Sequence, residues 1–480
     1  MTEQSLKKKT SQGLLWGGLS NGLQQLLQLF FGIFLARLLS PDDYGMVGML
    51  MIFHNIASSL KESGFTAALT NKKDATHRDF NAVFWFCLLV SVAMYIILFF
   101  CAPLIARFYN QPQLTPLARL LFLGFLISGT STAHYAYLFK NMMVKQRAIA
   151  QTLAILISGI VGVVLAFCGM AYWGIAMQSV TYVVVCTSLF WYFSRWRPSL
   201  HIDFTPIKEM IGFSVKLLIT NIFTHINNNI FSVLLGKMFR VADVGFYSQA
   251  NKWTTMGHSL ITGMITGVAQ PVLSEVKEDS ERQQRIFRKM LRFTAFISFP
   301  AMLGLALVSN ELITIAVTDK WADCVPMMQL LCLWGAFMPI QSLYSQSVIS
   351  KGHSHIIMWN TIVPGLVQIG LLLVTARWGI FTMIASYVVF NILYMLVWQY
   401  FVHRYMGVGY FSAIKDIAPF AVAAIVTMVA TYYITLSITN IYLLFAAKIV
   451  VAVVLYIFIM YVSNAQIFRE SIDYIIKKRV

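Results

Sequence analysis

The sequence predicts an all-α integral membrane protein of about 14 spans, arranged as two six-helix lobes with two extra helices after them. Three observations predict it. The first is composition: 58% of the 480 residues are hydrophobic and 11% are charged, with a mean hydropathy of +0.70, which excludes a water-soluble globule. The second is an internal repeat. Residues 19–46 reappear without a gap at 219–246, so that Asn21, Phe31, Leu35, Asp43 and Gly45 fall on Asn221, Phe231, Leu235, Asp243 and Gly245. Trp173-Gly174-Ile175 with Tyr182-Val183-Val184 recurs as Trp378-Gly379-Ile380 with Tyr387-Val388-Val389. The third is the placement of basic residues, which fall mostly in alternate loops.

The apolar runs lie near 14–39, 44–70, 80–106, 115–139, 148–169, 172–193, 208–236, 242–270, 287–309, 324–349, 355–376, 379–402, 413–435 and 440–463. Each is long enough for a helical span and too continuous for a barrel strand. Backbone groups in lipid must also be satisfied within their own segment. Loops on the N-terminal side hold 25 of the 36 Lys and Arg, the opposite loops hold seven, and Lys61, Lys216, Lys252 and Lys448 lie within spans. The bias places both termini in the cytoplasm. It also accounts for the net charge of +17 as a cytoplasmic face meeting anionic lipid, with no nucleic-acid partner.

Each copy of the repeat holds an even number of spans, so both enter from one side and the axis relating them runs along the membrane normal. The lobes are 1–200 (spans 1–6) and 201–408 (spans 7–12). The segment 409–480 carries spans 13 and 14 and a cytoplasmic tail. The mixed-charge segment 274–292 reads as an amphipathic cytoplasmic helix linking spans 8 and 9. The six cysteines sit in or beside apolar runs without a CxxC pair and read as buried apolar residues. No cleavable signal is visible at the basic start.

Several spans are too polar to face lipid all round. Span 1 carries Asn21, Gln24, Gln25 and Gln28 on one face. Span 7 carries Asn221, His225 and Asn228 at the same spacing, with Lys216 on a neighbouring stripe. Amides in membrane helices can serve only as hydrogen-bonding glue between helices; four on one face exceed what one helix contact needs, which favours a wet cavity. Span 2 holds His54, Asn55, Lys61 and Glu62, and span 8 holds Asn251, Lys252 and His258. A lysine at mid-membrane costs at least about 2.5–3.5 kcal/mol, so cations without matching acids point to an anionic ligand such as a phosphate or pyrophosphate. Lys252 is nearest mid-depth. Lys61 and Glu62 can instead pair locally, Lys216 can snorkel to the cytoplasmic side, and Lys448 reads as a snorkelling or local contact. Glu62 is the one clear acid within a span and the candidate for ion coupling. No phosphate-binding glycine loop, HExxH, GxSxG or carboxylate pair is present; no catalytic residue, metal ligand or cofactor is expected.

The stretch Leu35-Ala36-Arg37-Leu38-Leu39-Ser40-Pro41-Asp42-Asp43-Tyr44-Gly45 resembles the first extracytoplasmic turn of bacterial polysaccharide exporters, the Wzx-like or PST branch of the MOP superfamily. The amide-bearing first span, the Trp-Gly-Ile turns and the 6+6+2 layout fit the same group. The resemblance implies a bacterial inner-membrane flippase that moves polyprenyl-pyrophosphate-linked oligosaccharides (O-antigen, capsule or exopolysaccharide repeat units) by alternating access. Its partners would be the lipid-linked oligosaccharide, membrane lipids, and polysaccharide polymerase and chain-length machinery. Two alternatives share the architecture: a MATE-type multidrug or cation antiporter, which would want an acidic cavity, and a lipid II flippase. A membrane glycosyltransferase would need catalytic acids or a large external loop.

Overall fold

The computed structural model describes residues 3–53, 55, 65–72 and 74–470. All regular elements among them are helical. The described chain divides into two compact units, Met1–Gly245 and Phe246–Val480.

In the first unit, α1 (Glu3–Leu38), α2 (Pro41–Gly48) and α3 (Phe65–Asn71) precede α4 (His77–Tyr109), α5 (Leu114–Gly129), α6 (Thr132–Lys140), α7 (Val144–Phe167), α8 (Tyr172–Phe193) and α9 (Thr205–Met238). The helix α1 starts well before the apolar run, because its polar first turns are good helix formers and contain no proline. Capping boxes set two starts. Ser40 and Asp43 satisfy each other's backbone N–H at α2, and Thr76 and Asp79 do so at α4. The helix α4 ends at Asn110, which takes the left-handed conformation (φ 55°) that asparagine tolerates. The middle of the run expected as span 2, residues 54 and 56–64, lies outside the described residues.

The predicted fourth span is two helices, α5 and α6, meeting at a 47° bend. Ser128, Thr130 and Ser131 turn their hydroxyls onto nearby carbonyls there, at 2.7–3.2 Å. Such back-bonding competes with the helical ladder. The 194–204 connection folds onto α4. Asn81 donates to His201 O at 2.6 Å and accepts from Ser199 N at 2.8 Å, Trp85 donates to Ser199 O at 2.8 Å, and Arg78 pairs with Asp203. This anchors the start of α9, whose Ile207 and Met210 enter a buried cluster with Phe80, Phe84, Cys87 and Trp196.

The second unit continues α10 (Val241–Glu275), then α11 (Ser280–Leu307), α12 (Ser309–Val317), α13 (Cys324–Gly335), α14 (Met338–Ser350), α15 (Ser354–Thr375), α16 (Ile380–Met406), α17 (Tyr410–Thr435) and α18 (Ile441–Val462). The segment 274–292, expected as an amphipathic helix linking spans 8 and 9, is divided between the end of α10 and the start of α11. A short turn separates Glu275 from Ser280, and α11 runs from its Asp279 cap through the polar turns into the apolar span. Nothing between Ser280 and Phe293 breaks a helix.

The appended helices are held by charge at both ends. Arg288 makes a two-point pair with Asp416 at 2.6 and 3.0 Å. Lys448 pairs with Glu311 at 2.7 Å, both below 10% exposed, so Lys448 makes a local contact. Nine helices among the described residues are long and apolar enough to span a membrane, or ten with the bent α5–α6 pair. The expected count of 14 is not reached by that measure. The helices α1, α9 and α10 are long enough, at 34–36 residues, but too polar to pass it. They carry the candidate site.

Candidate functional site

In the first unit, the amide face of α1 divides. Gln24 turns toward α7 and reaches Thr152 Oγ1 at 3.5 Å, beside the point where Phe31 fills the space left by Gly159. Its contact is interhelical. Gln25 is half-buried, and Asn21 and Gln28 are exposed, so the rest of the stripe is not consumed by this packing. On α9, Asn221 and His225 are half-buried and Asn228 is exposed. Asn55 donates to Asn229 Oδ1 at 3.3 Å, and Asn229 donates to His225 O at 2.8 Å. Asn55 and α9 are thus tied by an amide pair through Asn229, a residue not singled out in the sequence. His54, Lys61 and Glu62 lie outside the described residues, as does the side chain of Lys216.

The repeat produces a second meeting. The first turn of α2 crosses the first turn of α10, with glycine at the crossing on both sides. A Cβ on Gly45 would lie 2.0 Å from Val241 O, and one on Gly245 would lie 1.9 Å from Pro41 O. Asp43 holds its own turn through Ser40. Its counterpart Asp243 does the same through Arg240, at 2.9 Å.

At the α5–α6 bend lies a cavity of about 330 Å³, lined by Ser131, Thr132, Tyr135, Gln151, Tyr182 and Thr187 among others. Thr132 Oγ1 is buried there without a hydrogen-bond partner among the described residues. Broken membrane helices with polar linings recur at transporter binding sites. Behind the bend, His134 is fully buried against Trp191, with ring centroids 4.1 Å apart.

In the second unit, α10 carries a run of polar atoms with no partner among the described residues: both amide atoms of Gln249, Trp253 Nε1, His258 Nδ1 and Thr262 Oγ1. Gln249 is 1% exposed. Lys252 sits half-buried one turn from Gln249, with no ion pair or hydrogen bond among the described residues, and Asn251 is half-buried beside it. Buried polar atoms cost about 1–3 kcal/mol each when left unmade, which makes the run the candidate binding surface of the second unit. Gln249 was missed in the sequence because one glutamine carries no periodic signal. The clue was its i, i+3 relation to Lys252. No cluster of three or more His, Cys, Asp or Glu is placed to hold a metal among the described residues.

The many long apolar helices among the described residues define an integral, multi-pass helical membrane protein. The chain belongs to the polysaccharide biosynthesis protein family, whose match covers residues 34–326. It is 26% identical over 353 residues to the lipopolysaccharide biosynthesis protein WzxC of Escherichia coli (strain K12), covering 72% of this chain and 71% of that one. Its fold matches lipid II flippase MurJ in the inward closed conformation, with a TM-score of 0.77 and 16% identity, over 96% of this chain and all of that one. It also matches an inward-facing multidrug resistance MATE family transporter of the MOP superfamily, with a TM-score of 0.66 and 16% identity, over 83% and 95%.

Proposed function

We propose that this protein flips a polyprenyl-pyrophosphate-linked oligosaccharide from the cytoplasmic to the outer leaflet by alternating access. The cargo would be an O-antigen, capsule or exopolysaccharide repeat unit. One coincidence carries the proposal: a polysaccharide biosynthesis family on a fold shared with a lipid II flippase. Lys252, which has no ion pair or hydrogen bond among the described residues, supplies the cation a pyrophosphate needs, with Lys216 and Lys61 as further candidates. Gln249, Asn251 and His258 on α10, and Asn21, Gln25, Gln28, Asn221, His225, Asn228 and His54 in the first unit, supply amide and imidazole groups for sugar hydroxyls. Glu62 is the candidate for ion coupling.

The functional lobes are 1–200 and 201–408, with 409–480 appended. The location is the bacterial inner membrane with both termini cytoplasmic, as the basic residues favour. The Gly45–Gly245 crossing then closes the extracytoplasmic side and must part for release. A polymerase and chain-length machinery would receive the product. The protein supplies binding and conformational change, and no catalytic step is needed.

The test is lipid extraction from cells lacking the gene, with surface glycan scored in parallel. A complete lipid-linked repeat unit should accumulate while surface polymer is lost. Unchanged glycan with new drug sensitivity would assign the protein to multidrug export, and accumulation of lipid II would assign it to that substrate.

A further inference from the structure

We infer that the second unit holds an anionic phospholipid in the cleft between the starts of α11 and α17 and the end of α18. The cleft has a volume of about 1140 Å³. Its mouth carries Arg288, Arg292 and Lys415 against one carboxylate, Asp416. Asp416 is already engaged, since both its oxygens accept from Arg288. Arg292 Nε stands 3.8 Å from it, beyond hydrogen-bonding distance, and has no hydrogen-bond partner among the described residues. Lys415 is exposed at the rim. One acid therefore faces three cations, held closely by Arg288 and more loosely by Arg292, and the mouth keeps an excess of positive charge.

Below the mouth the walls are apolar. Val422 and Val426 of α17 face the cleft together with Ile459 of α18. From Lys415 to Val426, α17 rises about 16 Å, close to the hydrocarbon depth of one leaflet, about 15 Å. A cationic mouth over an apolar wall of that length suits a headgroup phosphate with acyl chains beneath it. The chain's own last ten residues do not complement it, because Lys477, Lys478 and Arg479 outnumber Asp473. An uncharged lipid would leave the excess positive charge of the mouth unanswered. The cytoplasmic leaflet follows from the orientation proposed above; the binding itself depends on neither that orientation nor the transport activity.

The test uses the purified full chain in non-ionic detergent. It is titrated with phosphatidylglycerol or with phosphatidylcholine of the same acyl chains, and bound lipid is counted by native mass spectrometry. Phosphatidylglycerol should bind more tightly than phosphatidylcholine. Arg292→Gln with Lys415→Gln should weaken it roughly 30-fold, at about a fivefold loss per basic residue, and leave phosphatidylcholine unchanged. Val426→Trp, which fills the wall and keeps the charges, should also weaken phosphatidylglycerol. Arg285→Gln is the matched control, because Arg285 is exposed on α11 and does not line the cleft; it should bind as the parent does. Unfolding temperatures without lipid establish that each variant is folded. Equal affinity for the two lipids, or undiminished binding by the double variant, overturns the inference. So does a polyprenyl pyrophosphate that displaces phosphatidylglycerol from the parent protein, which would make the cleft part of the transport path.

Discussion

Gly45 and Gly245 are counterparts across the repeat, and each lies against the backbone of the other's neighbour. A Cβ at either position would fall within 2.0 Å of a carbonyl oxygen, Val241 O for Gly45 and Pro41 O for Gly245. Only glycine allows two helix starts to cross this closely. Under the proposed mechanism this crossing is the contact that opens and re-forms with each cycle.

Gly45→Ala or Gly245→Ala should therefore weaken the crossing by about 1–3 kcal/mol, the usual range for overpacking. Hydrogen exchange read over residues 41–49 should speed up roughly five- to hundredfold. Gly22→Ala, where nothing lies within 4 Å, should leave that exchange as it is. Equal exchange in all three variants would remove the crossing as a strained contact.

The polar run on α10 predicts opposite signs for stability and transport. Gln249→Leu replaces a buried amide with no partner among the described residues, so the protein should hold or gain stability, by up to about 1–3 kcal/mol. Transport should fall at least tenfold. Lys252→Ala with Lys216→Ala should abolish transport while leaving the protein folded and inserted. A destabilised Gln249→Leu variant would mean that the amide serves packing, and full activity in the lysine double variant would exclude these lysines from pyrophosphate binding.

The Glu311–Lys448 pair fastens α18 to the body of the second unit. Glu311→Gln leaves a buried ammonium without its counter-ion and should cost about 3–5 kcal/mol, read as a lower unfolding temperature in detergent. Glu311→Leu combined with Lys448→Met removes both charges and should recover most of the loss. If the double variant is as unstable as the single one, the pair contributes by shape and not by charge.

The connection between the repeats is expected to resist mild acid. Hydrogen bonds from Thr205, then the Arg78 guanidinium, hold the Asp203 carboxyl down at about 2. A carboxyl depressed on folding lends stability above its unfolded value, near 3.9, and loses it as pH falls toward the folded value. Hydrogen exchange across 194–204 should be steady in protection from pH 7 to about pH 4, and that protection should be lost between about pH 4 and pH 2. Asp203→Asn should flatten this step. Loss already complete at pH 5 would assign the anchoring to other groups.

Much of this was legible in the sequence because it lives in composition and repetition. The helical membrane class follows from apolar runs that lipid permits in only one form. The Gly45–Gly245 relation was visible as an alignment, although its meaning as a close crossing was not, since sequence identity carries no distance. The amide face of α1 was legible as a stripe, but periodicity cannot say that Gln24 spends itself on Thr152. The bend at Ser131 escaped because no proline marks it; hydroxyl back-bonding does the work instead. The continuity of α11 escaped because a change from polar to apolar residues looks like a boundary, yet helix geometry is indifferent to it. Gln249 escaped because burial without a partner is a property of the packed molecule.

The most direct test of the central claim is leaflet exchange in proteoliposomes. The purified protein would be reconstituted with a polyprenyl-pyrophosphate-linked oligosaccharide. The fraction of glycan open to an added, membrane-impermeant glycosidase would then be followed over time. Flipping predicts that the parent protein exposes nearly all of the glycan and that Lys252→Ala with Lys216→Ala leaves the inner-leaflet share protected. If about half stays protected with the parent protein, as in protein-free vesicles, the chain does not move this class of lipid.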